Sequence, residues 1–334
     1  LISSICKIDP PITETWPDLL PSLTNNSFND NINMKLAAIE TLGYVCEELN
    51  LKSIDSNSVD VIMNALIQNL INDNNTADII IQLLKALYYT IRLAEKNFSN
   101  KKEREIIMNS IWQIGQKDET NEDILNEIAM LFIEMLSVSN YYDYIEDFFN
   151  HITQFAFNII EKYKETNDRL ALLGLEILCS IGDEEAKRKS PFEITLSQLA
   201  SGGFSLDNSE KLSKGYYNKI SARLQQLIVN NVVVPEDDED ENEWNISKAC
   251  LIILTLLVEL SDSDSVENFL RELSQQIRNS LKASDIRAKC WLLLGSSLNS
   301  KYKNEMSGTL ATSYKLILKD LNQSESHKLT RCAC

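Results

Sequence analysis

Apolar residues recur at intervals of three and four positions along most of this chain, which is the spacing of one face of an α-helix. The stretch MKLAAIETLGYVCEEL (34–49) shows it most clearly. Its predicted apolar face consists of Met34, Ala37, Ala38, Thr41, Leu42, Val45 and Leu49. The same spacing returns at 77–94, 122–138, 168–181, 246–260 and 285–298. A more amphipathic stretch precedes each of these, such as 58–71 or 265–281, so the pattern predicts helices in pairs.

The predicted second helices of these pairs follow a regular period. Their first apolar residues, which we take as core positions, are Met34, Ile79, Ile124, Leu170, Ile246 and Ile286. Successive members are 45, 45, 46, 76 and 40 residues apart, and the long interval contains an extra segment (186–213) and an acidic run. A helix-pair unit of about 40–47 residues is typical of HEAT and armadillo repeats.

One such pair cannot bury both of its apolar faces, so neighbouring pairs must stack. The predicted fold is therefore all-α, an α-α superhelix or solenoid of HEAT/armadillo-type repeats. We expect 1–334 to form a single array of about seven repeats, partial at both ends. Stretches rich in Asp, Asn and Ser precede the second helices, and these residues favour helix starts.

The charge balance restricts the class of partner. The chain has 32 basic and 49 acidic residues, a formal net charge of −17 and a pI near 4.7. Such a chain repels phosphate backbones and anionic membrane surfaces, which argues against nucleic-acid or membrane binding. Basic protein segments are the expected partners.

Cysteine usage and the chain ends bear on the context of the protein. Seven cysteines occur without a C-x-x-C pair and mostly within apolar helical stretches, so we expect neither a disulfide framework nor a zinc site. The longest apolar run, 249–260, is about half a membrane span and is predicted to be a buried helix. Because the chain opens without Met and both ends resemble interrupted helices, we expect it to be a piece of a longer protein.

The most acidic stretch of the chain lies in a predicted loop at 235–244. Seven of the eight residues from Glu236 to Glu243 are carboxylates, and the run ends on Trp244. Like charges repel each other, so one interpretation is a solvated loop. The other is a binding site for something basic, with Trp244 either anchoring the loop or offering an apolar face to a Lys or Arg stem.

The predicted second helices also carry acidic residues at positions expected to face solvent on a concave surface. They are Glu40, Glu47 and Glu48 in the first, Glu176, Asp183, Glu184 and Glu185 in another, and Glu259 and Asp262 in a third. Ordinary solvation explains a single glutamate. A series of acids beside an acidic loop also fits a surface for basic partners.

The residue pattern offers little for catalysis. The two histidines, His151 and His327, are far apart in ordinary helical stretches, which argues against a nucleophilic triad. The segment SGGF (201–204) lacks the spacing and the lysine of a phosphate loop, and the acidic run lacks the pattern of a calcium loop. We predict no catalytic residues, no cofactor and no metal site.

Several stretches in register resemble the importin β family of nuclear transport receptors. They are WPDLLPSL (16–23), MKLAAIETLGYVCEEL (34–49), AEKNFSNKKEREIIM (94–108), SNYYDYIEDFF (139–149), GLEILCSIGDEE (174–185) and EDDEDENEWNISKAC (236–250). The resemblance implies a HEAT-repeat solenoid that binds the basic importin-β-binding helix of importin α or other basic cargo. It also implies binding of the GTPase Ran and of Phe-Gly nucleoporins, and a location in cytoplasm, nucleus and nuclear pore.

The resemblance implies a nucleoporin slot between two neighbouring first helices. The matching residues are Met63, Asn64 and Ile67 on one helix and Glu103, Ile106 and Ile107 on the next. The family's Leu-Thr is Met63-Asn64 here and its Phe-Ile is Ile106-Ile107, so the slot loses an aromatic ring. Core packing is the alternative role for each of the six.

For basic cargo and Ran, the resemblance and the acid pattern together indicate seven residues. They are Glu176, Asp183, Asp237, Asp238, Glu239, Asp240 and Trp244. Because part of the family's Ran contact lies in repeats absent from this chain, we expect weak binding of Ran-GTP or none. The alternatives are a HEAT-repeat scaffold subunit, as in a phosphatase complex, which such an acidic insert disfavours, and an enzyme built on a solenoid.

Overall fold

A computed structural model describes residues 16–49, 54–72, 74–117, 121–138, 141–188, 212–234, 244–279 and 284–297. Within these ranges the regular elements are all helices. The chain divides into two compact units, Leu1–Tyr163 and Lys164–Cys334. The single array proposed from the sequence stays a prediction.

The described part of the first unit contains eight helices, of which the first and second, the third and fourth, and the sixth and seventh pack as consecutive pairs. They are α1 (Leu19–Asn26), α2 (Ile32–Glu48), α3 (Ser56–Leu70), α4 (Ala77–Thr90), α5 (Glu95–Ser99), α6 (Lys101–Gly115), α7 (Glu122–Ser137) and α8 (Phe149–Tyr163). Short 3-10 turns cover Ile91–Leu93, Tyr141–Asp143 and Glu146–Phe148. The second unit contains α9 (Asp168–Ala186), α10 (Tyr216–Asn231), α11 (Ile246–Leu260), α12 (Ser263–Asn279) and α13 (Ser284–Ser297).

The predicted period is present in the helix starts. The helices α2, α4, α7 and α9 begin at residues 32, 77, 122 and 168, so successive starts are 45, 45 and 46 residues apart. The positions chosen to mark the period are not all core positions, however. Met34 is 49% exposed and Ile286 is 50% exposed, whereas Ile79, Ile124 and Leu170, also third in their helices, are buried.

Asparagine and aspartate side chains begin several of these helices, as the sequence predicts. The Asn31 carboxamide oxygen accepts hydrogen bonds from the backbone N–H groups of Asn33 and Met34 at the start of α2. The side chains of Asn121 and Asn245 each accept one such bond, at the starts of α7 and α11. Each cap satisfies N–H groups that have no partner within the helix.

In the first unit, the second helices of the pairs pack side by side. The helix α2 packs on α4, and α4 packs on α7. The first two approach closely at Gly43, where a β-carbon would stand 3.4 Å from Cα of Ala86, in van der Waals contact. The first helices form a second layer, in which α3 contacts both α1 and α6. Apolar side chains between the layers, such as Leu42, Leu66 and Leu83, are completely buried.

In the second unit, α9 packs on α11, and α11 packs on α10 and α13. A buried carboxylate fixes the junction of α9 and α10. Glu185 is 1% exposed and accepts hydrogen bonds from the backbone N–H groups of Tyr216 and Tyr217, each at 2.8 Å, and from the Ser213 hydroxyl at 2.6 Å. A residue distant in sequence thereby caps α10, whose own Gly215 has no side chain to do so.

The burial of two acids corrects the sequence analysis. Glu184 and Glu185 were expected to face solvent, but they are only 2% and 1% exposed. Glu184 pairs with the buried Arg188 at 3.2 Å, and Glu185 caps α10. The helical spacing alone could not show this, because the helix that covers the last turn of α9 lies some thirty residues further along the chain.

Candidate binding surfaces

The six residues of the predicted nucleoporin slot lie on α3 and α6, two helices in contact. Met63, Ile67 and Ile107 are almost completely buried, at 2%, 6% and 4% exposed, whereas Ile106 is 53% exposed. Asn64 is also exposed. The accessible part of the predicted slot therefore consists of Asn64 and Ile106, and the other three apolar members form the floor between the helices.

Glu103, the sixth member, takes part in a polar network between α3, α5 and α6. Its carboxylate accepts hydrogen bonds from the side-chain amides of Asn97 at 2.8 Å and Asn100 at 2.6 Å. Asn97 also donates to Asp60 at 2.9 Å, and Asp60 pairs with Lys96 at 2.7 Å. Glu103 thus helps to hold α6 against α3.

The second helices of the first unit present a surface that the sequence analysis recognised only in part. We call it the tyrosine–glutamate surface, and it consists of Glu40, Tyr44 and Glu47 on α2, Tyr88 and Tyr89 on α4, and Glu127 and Glu134 on α7. The tyrosines were missed because an apolar-periodic helix makes an aromatic residue look like core. The signal that would have found them is their position next to the buried stripe.

Contacts and electrostatic effects connect the members of this surface. The Tyr44 hydroxyl donates to the Glu40 carboxylate at 3.1 Å, and this bond is the main cause that raises the pKa of Tyr44. Burial, then the charges of Glu47 and Glu127, raise the pKa of Tyr89. The rings of Tyr88 and Tyr89 meet edge to face with centroids 5.2 Å apart. Carboxylates from two helices, α2 and α7, therefore lie beside aromatic rings from α2 and α4.

One cation also belongs to this region of the molecule. The Arg92 guanidinium lies 3.3 Å from the Glu134 carboxylate. Burial and then the Glu134 charge raise the pKa of Tyr88. The pairing shows that a guanidinium is accommodated beside these tyrosines and glutamates.

The helix α9 presents two predicted binding residues, Glu176 and Asp183, on one exposed side. They are seven positions apart, about two helical turns. Cys179 lies between them, and its pKa is raised to about 12, chiefly by burial and further by the charges of Asp183, Cys250 and Glu176. These effects place both carboxylates near the same half-buried thiol.

The acidic residues Asp237, Asp238, Glu239 and Asp240 lie outside the described residues. The nearest described residues on either side of the run are Val234 and Trp244. Trp244 is 54% exposed, so its indole faces solvent. Both roles considered for Trp244, a loop anchor and an aromatic contact for a basic side chain, stay predictions.

Within the described ranges, no group of three or more His, Cys, Asp or Glu side chains has an arrangement that could hold a metal ion. His151 instead packs against Trp112, with ring centroids 4.5 Å apart, and His327 lies outside the described residues. None of the helices described is both long and apolar enough to cross a bilayer.

Comparison with known proteins shows similar chains of much greater length. No protein-family model matches this chain. It is 27% identical over 281 residues to importin subunit beta-1 of Arabidopsis thaliana, which covers 83% of this chain and 30% of that protein. Importin subunit beta-1 of Schizosaccharomyces pombe is 24% identical over 268 residues, which covers 80% of this chain and 29% of that protein. The chain thus spans less than a third of the length of these relatives.

Solved structures share the fold over 99% of the chain. Importin beta crystallised in an ammonium sulfate condition has a TM-score of 0.76 and 17% identity, with 36% of its own chain covered. The complex of Kap95 and Nup1 has a TM-score of 0.73 and 18% identity, with 36% of its own chain covered. A third structure is that of Kap95p, whose binding induces the switch loops of RanGDP to adopt the GTP-bound conformation. It has a TM-score of 0.73 and 19% identity, with 36% of its own chain covered.

The paired helices, their period and these shared structures define an all-α solenoid of HEAT-type repeats, the fold of the karyopherins, and the predicted fold class is confirmed. Within this class the chain is similar to importin subunit beta-1 in sequence as well as in fold. The resemblance to the importin β family that the sequence motifs indicated is confirmed.

Proposed function

We propose that this chain is part of a nuclear import receptor, and that it binds basic protein segments without performing catalysis. The partners are the basic importin-β-binding helix of importin α or other basic cargo. The observation that carries the proposal is the tyrosine–glutamate surface, in a chain similar to importin subunit beta-1.

The surface fits basic side chains for two physical reasons. Lys and Arg stems pack on tyrosine rings while their charged groups reach the surrounding carboxylates. Each exposed ion pair contributes only about 0–1 kcal/mol, so binding requires several pairs together. Binding of this kind weakens as salt screens the charges.

A separate proposed surface for cargo and Ran lies in the other unit. It consists of Glu176 and Asp183 on α9, the acidic residues Asp237, Asp238, Glu239 and Asp240, and the exposed Trp244. Seven carboxylates in eight residues attract basic segments over a distance of about one Debye length.

We further propose Phe-Gly nucleoporins and the GTPase Ran as partners of the full-length receptor, at work in cytoplasm, nucleus and nuclear pore. The support is similarity to Kap95 structures that involve Nup1 and RanGDP. For nucleoporins, the accessible residues Asn64 and Ile106 lie above the buried floor of Met63, Ile67 and Ile107. A phenylalanine ring inserted there gains apolar contact, while the flanking chain stays mobile and the complex weak.

Titration of the chain with a fluorescent Arg/Lys-rich helical peptide at two salt concentrations tests the cargo proposal. We expect saturable binding that weakens at high salt. The variant Glu47→Gln/Glu127→Gln should weaken it about threefold to tenfold, since two charges are lost beside Tyr89. Neutralising 236–243 should also weaken it.

The matched control is Glu161→Gln, an exposed glutamate on α8 that is not part of the surface. It should bind like the unaltered chain. If the peptide does not bind, or binds without dependence on salt, the cargo proposal is wrong. Such indifference would favour the alternative, a HEAT-repeat scaffold subunit of a complex such as a phosphatase, which binds folded subunits.

A further inference from the structure

The tyrosine–glutamate surface already holds a cation that belongs to the chain itself. Arg92 follows α4 in the 3-10 turn Ile91–Leu93, and its guanidinium Nε lies 3.3 Å from the Glu134 carboxylate of α7. Burial chiefly raises the pKa of Tyr88 and of Tyr89, and the Arg92 charge opposes that rise at both. One guanidinium therefore pairs with a glutamate of the surface and lies within electrostatic reach of two of its tyrosines.

The two partners of this ion pair differ in how freely they can move. The Glu134 side chain is only 16% exposed, whereas the Arg92 side chain is 51% exposed. The neighbours of Arg92 in the turn, Ile91 and Leu93, are buried and hold the backbone in place. The pair can therefore open by rotation of the arginine side chain into solvent, while the carboxylate stays where it is.

The carboxylate needs a replacement cation when Arg92 leaves it. A largely covered carboxylate without a partner is unfavourable, because burial removes water that would solvate its charge. The helix α7 carries four acidic residues and no basic residue that could take the place of Arg92. The pair should therefore open when a cation from another molecule arrives at Glu134.

We propose that Arg92 occupies, in the free chain, the position that an arginine of the basic partner segment takes when it binds. The inference rests on the proposed cargo function and deepens it. The arginine of the partner pairs with Glu134 beside Tyr88, and Arg92 turns out into solvent. Arg92 is thus a built-in competitor of the ligand.

Competition of this kind makes the surface selective. A segment with a single arginine exchanges one ion pair for another and gains little, so binding requires further basic residues that pair with Glu40, Glu47 or Glu127. A guanidinium is planar and presents its N–H donors in a fixed arrangement, whereas an ammonium is a compact and more strongly hydrated charge. The position held by Arg92 should therefore prefer arginine to lysine.

Titration of the full chain with an arginine-rich helical peptide tests the inference. Arg92→Gln removes the competing charge and leaves Glu134 to the ligand, so we expect binding about threefold to fivefold tighter. A peptide with lysine in place of every arginine should gain less, about twofold. The matched control is Lys85→Gln, which removes an equal charge from an exposed position of α4 and should change the affinity by less than about twofold.

The variant Glu134→Gln separates competition from a general effect of charge. In this background Arg92→Gln should tighten binding no more than Lys85→Gln does, since the contested carboxylate is gone. Urea unfolding of Arg92→Gln should have a midpoint close to that of the unaltered chain, because the lost side chain is half exposed.

The outcomes distinguish this inference from the function on which it rests. Unchanged or weaker binding by Arg92→Gln overturns the competition and leaves the cargo proposal standing. Equal tightening by Arg92→Gln and Lys85→Gln, an equal gain for the lysine peptide, or a gain that persists with Glu134→Gln overturns it as well. If the peptide binds neither the unaltered chain nor the variants, the cargo proposal is wrong and the competition falls with it.

Discussion

The ring of Tyr217 lies so close to Gly182 that a β-carbon on the glycine would stand 2.6 Å from the tyrosine Cζ. The Tyr217 hydroxyl donates a hydrogen bond to the carbonyl of Leu178 at 2.8 Å, one turn further back along α9. The glycine therefore leaves the space in which a completely buried tyrosine of α10 packs against α9.

Replacing Gly182 with alanine should destabilise the second unit. The added methyl group overlaps the Tyr217 ring, and overpacking of this kind costs about 1–3 kcal/mol. Urea unfolding of the chain measures the loss. The control is Gly295→Ala in α13, where a β-carbon meets no atom within 4 Å and alanine should be neutral or stabilising. Equal effects of the two substitutions would show that the Tyr217 contact does not matter.

Glu185→Ala should destabilise the same junction through its hydrogen bonds. The substitution leaves the backbone N–H groups of Tyr216 and Tyr217 without their acceptor in a buried place, at a cost of about 1–3 kcal/mol. Glu176→Ala on the exposed side of α9 is the control and should change the unfolding free energy by less than about 0.5 kcal/mol. Equal stability of the two variants would contradict the tertiary cap.

Two thiols, the half-buried Cys179 and the buried Cys250, should make the fold sensitive to alkaline pH. Burial raises the pKa of Cys179 and Cys250 from 9.0 to about 12. Because the folded pKa lies above the unfolded one, the stabilising contribution is complete below pH 9 and is lost as pH rises from about 9 to about 12. The variant Cys179→Ala/Cys250→Ala should therefore lose stability less steeply with pH in this window.

The measurement for the thiols is the unfolding free energy at several pH values under reducing conditions. A second readout is alkylation by iodoacetamide at pH 8, which needs the thiolate and should be slow at both cysteines in the folded chain and fast in urea. Rapid alkylation of the folded chain would show that the thiols are not protected.

Ile106→Ser should weaken binding of a Phe-Gly peptide about threefold to tenfold, since Ile106 is the exposed apolar residue of the proposed slot. Little change in stability is expected at a position that is 53% exposed. Nuclear magnetic resonance titration is suited to such weak complexes. Ile32→Ser, also 53% exposed but on α2, is the control. Unchanged affinity of Ile106→Ser would remove Ile106 from the slot.

Ran-GTP should bind this chain weakly or not at all. The expectation comes from the importin β resemblance, which implies Ran contacts in repeats that this chain does not contain. A pulldown with Ran loaded with GTP or GDP checks it. Tight, nucleotide-dependent retention would show that the residues present here suffice.

Parts of the proposed sites were accessible to sequence reasoning because they depend on local spacing. Glu176 and Asp183 are exposed on one side of α9, and α3 and α6 are neighbours, as predicted. Only part of the tyrosine–glutamate surface, Glu40 and Glu47, could be predicted from the sequence. Its position in the helical pattern makes Tyr88 look like a core residue. The residues near Tyr88 in sequence do not show that Glu134 of another helix lies beside it.

The sequence by itself determined the helices, their pairing and their period, since each depends on apolar spacing and capping residues within a few turns of chain. Only the tertiary structure decided which acids of α9 are exposed. Asp183 faces solvent, while Glu184 and Glu185 are buried against Arg188 and the start of α10. The physical reason is that burial depends on what a distant segment places over a helix face, and the spacing of residues along that helix carries no information about it.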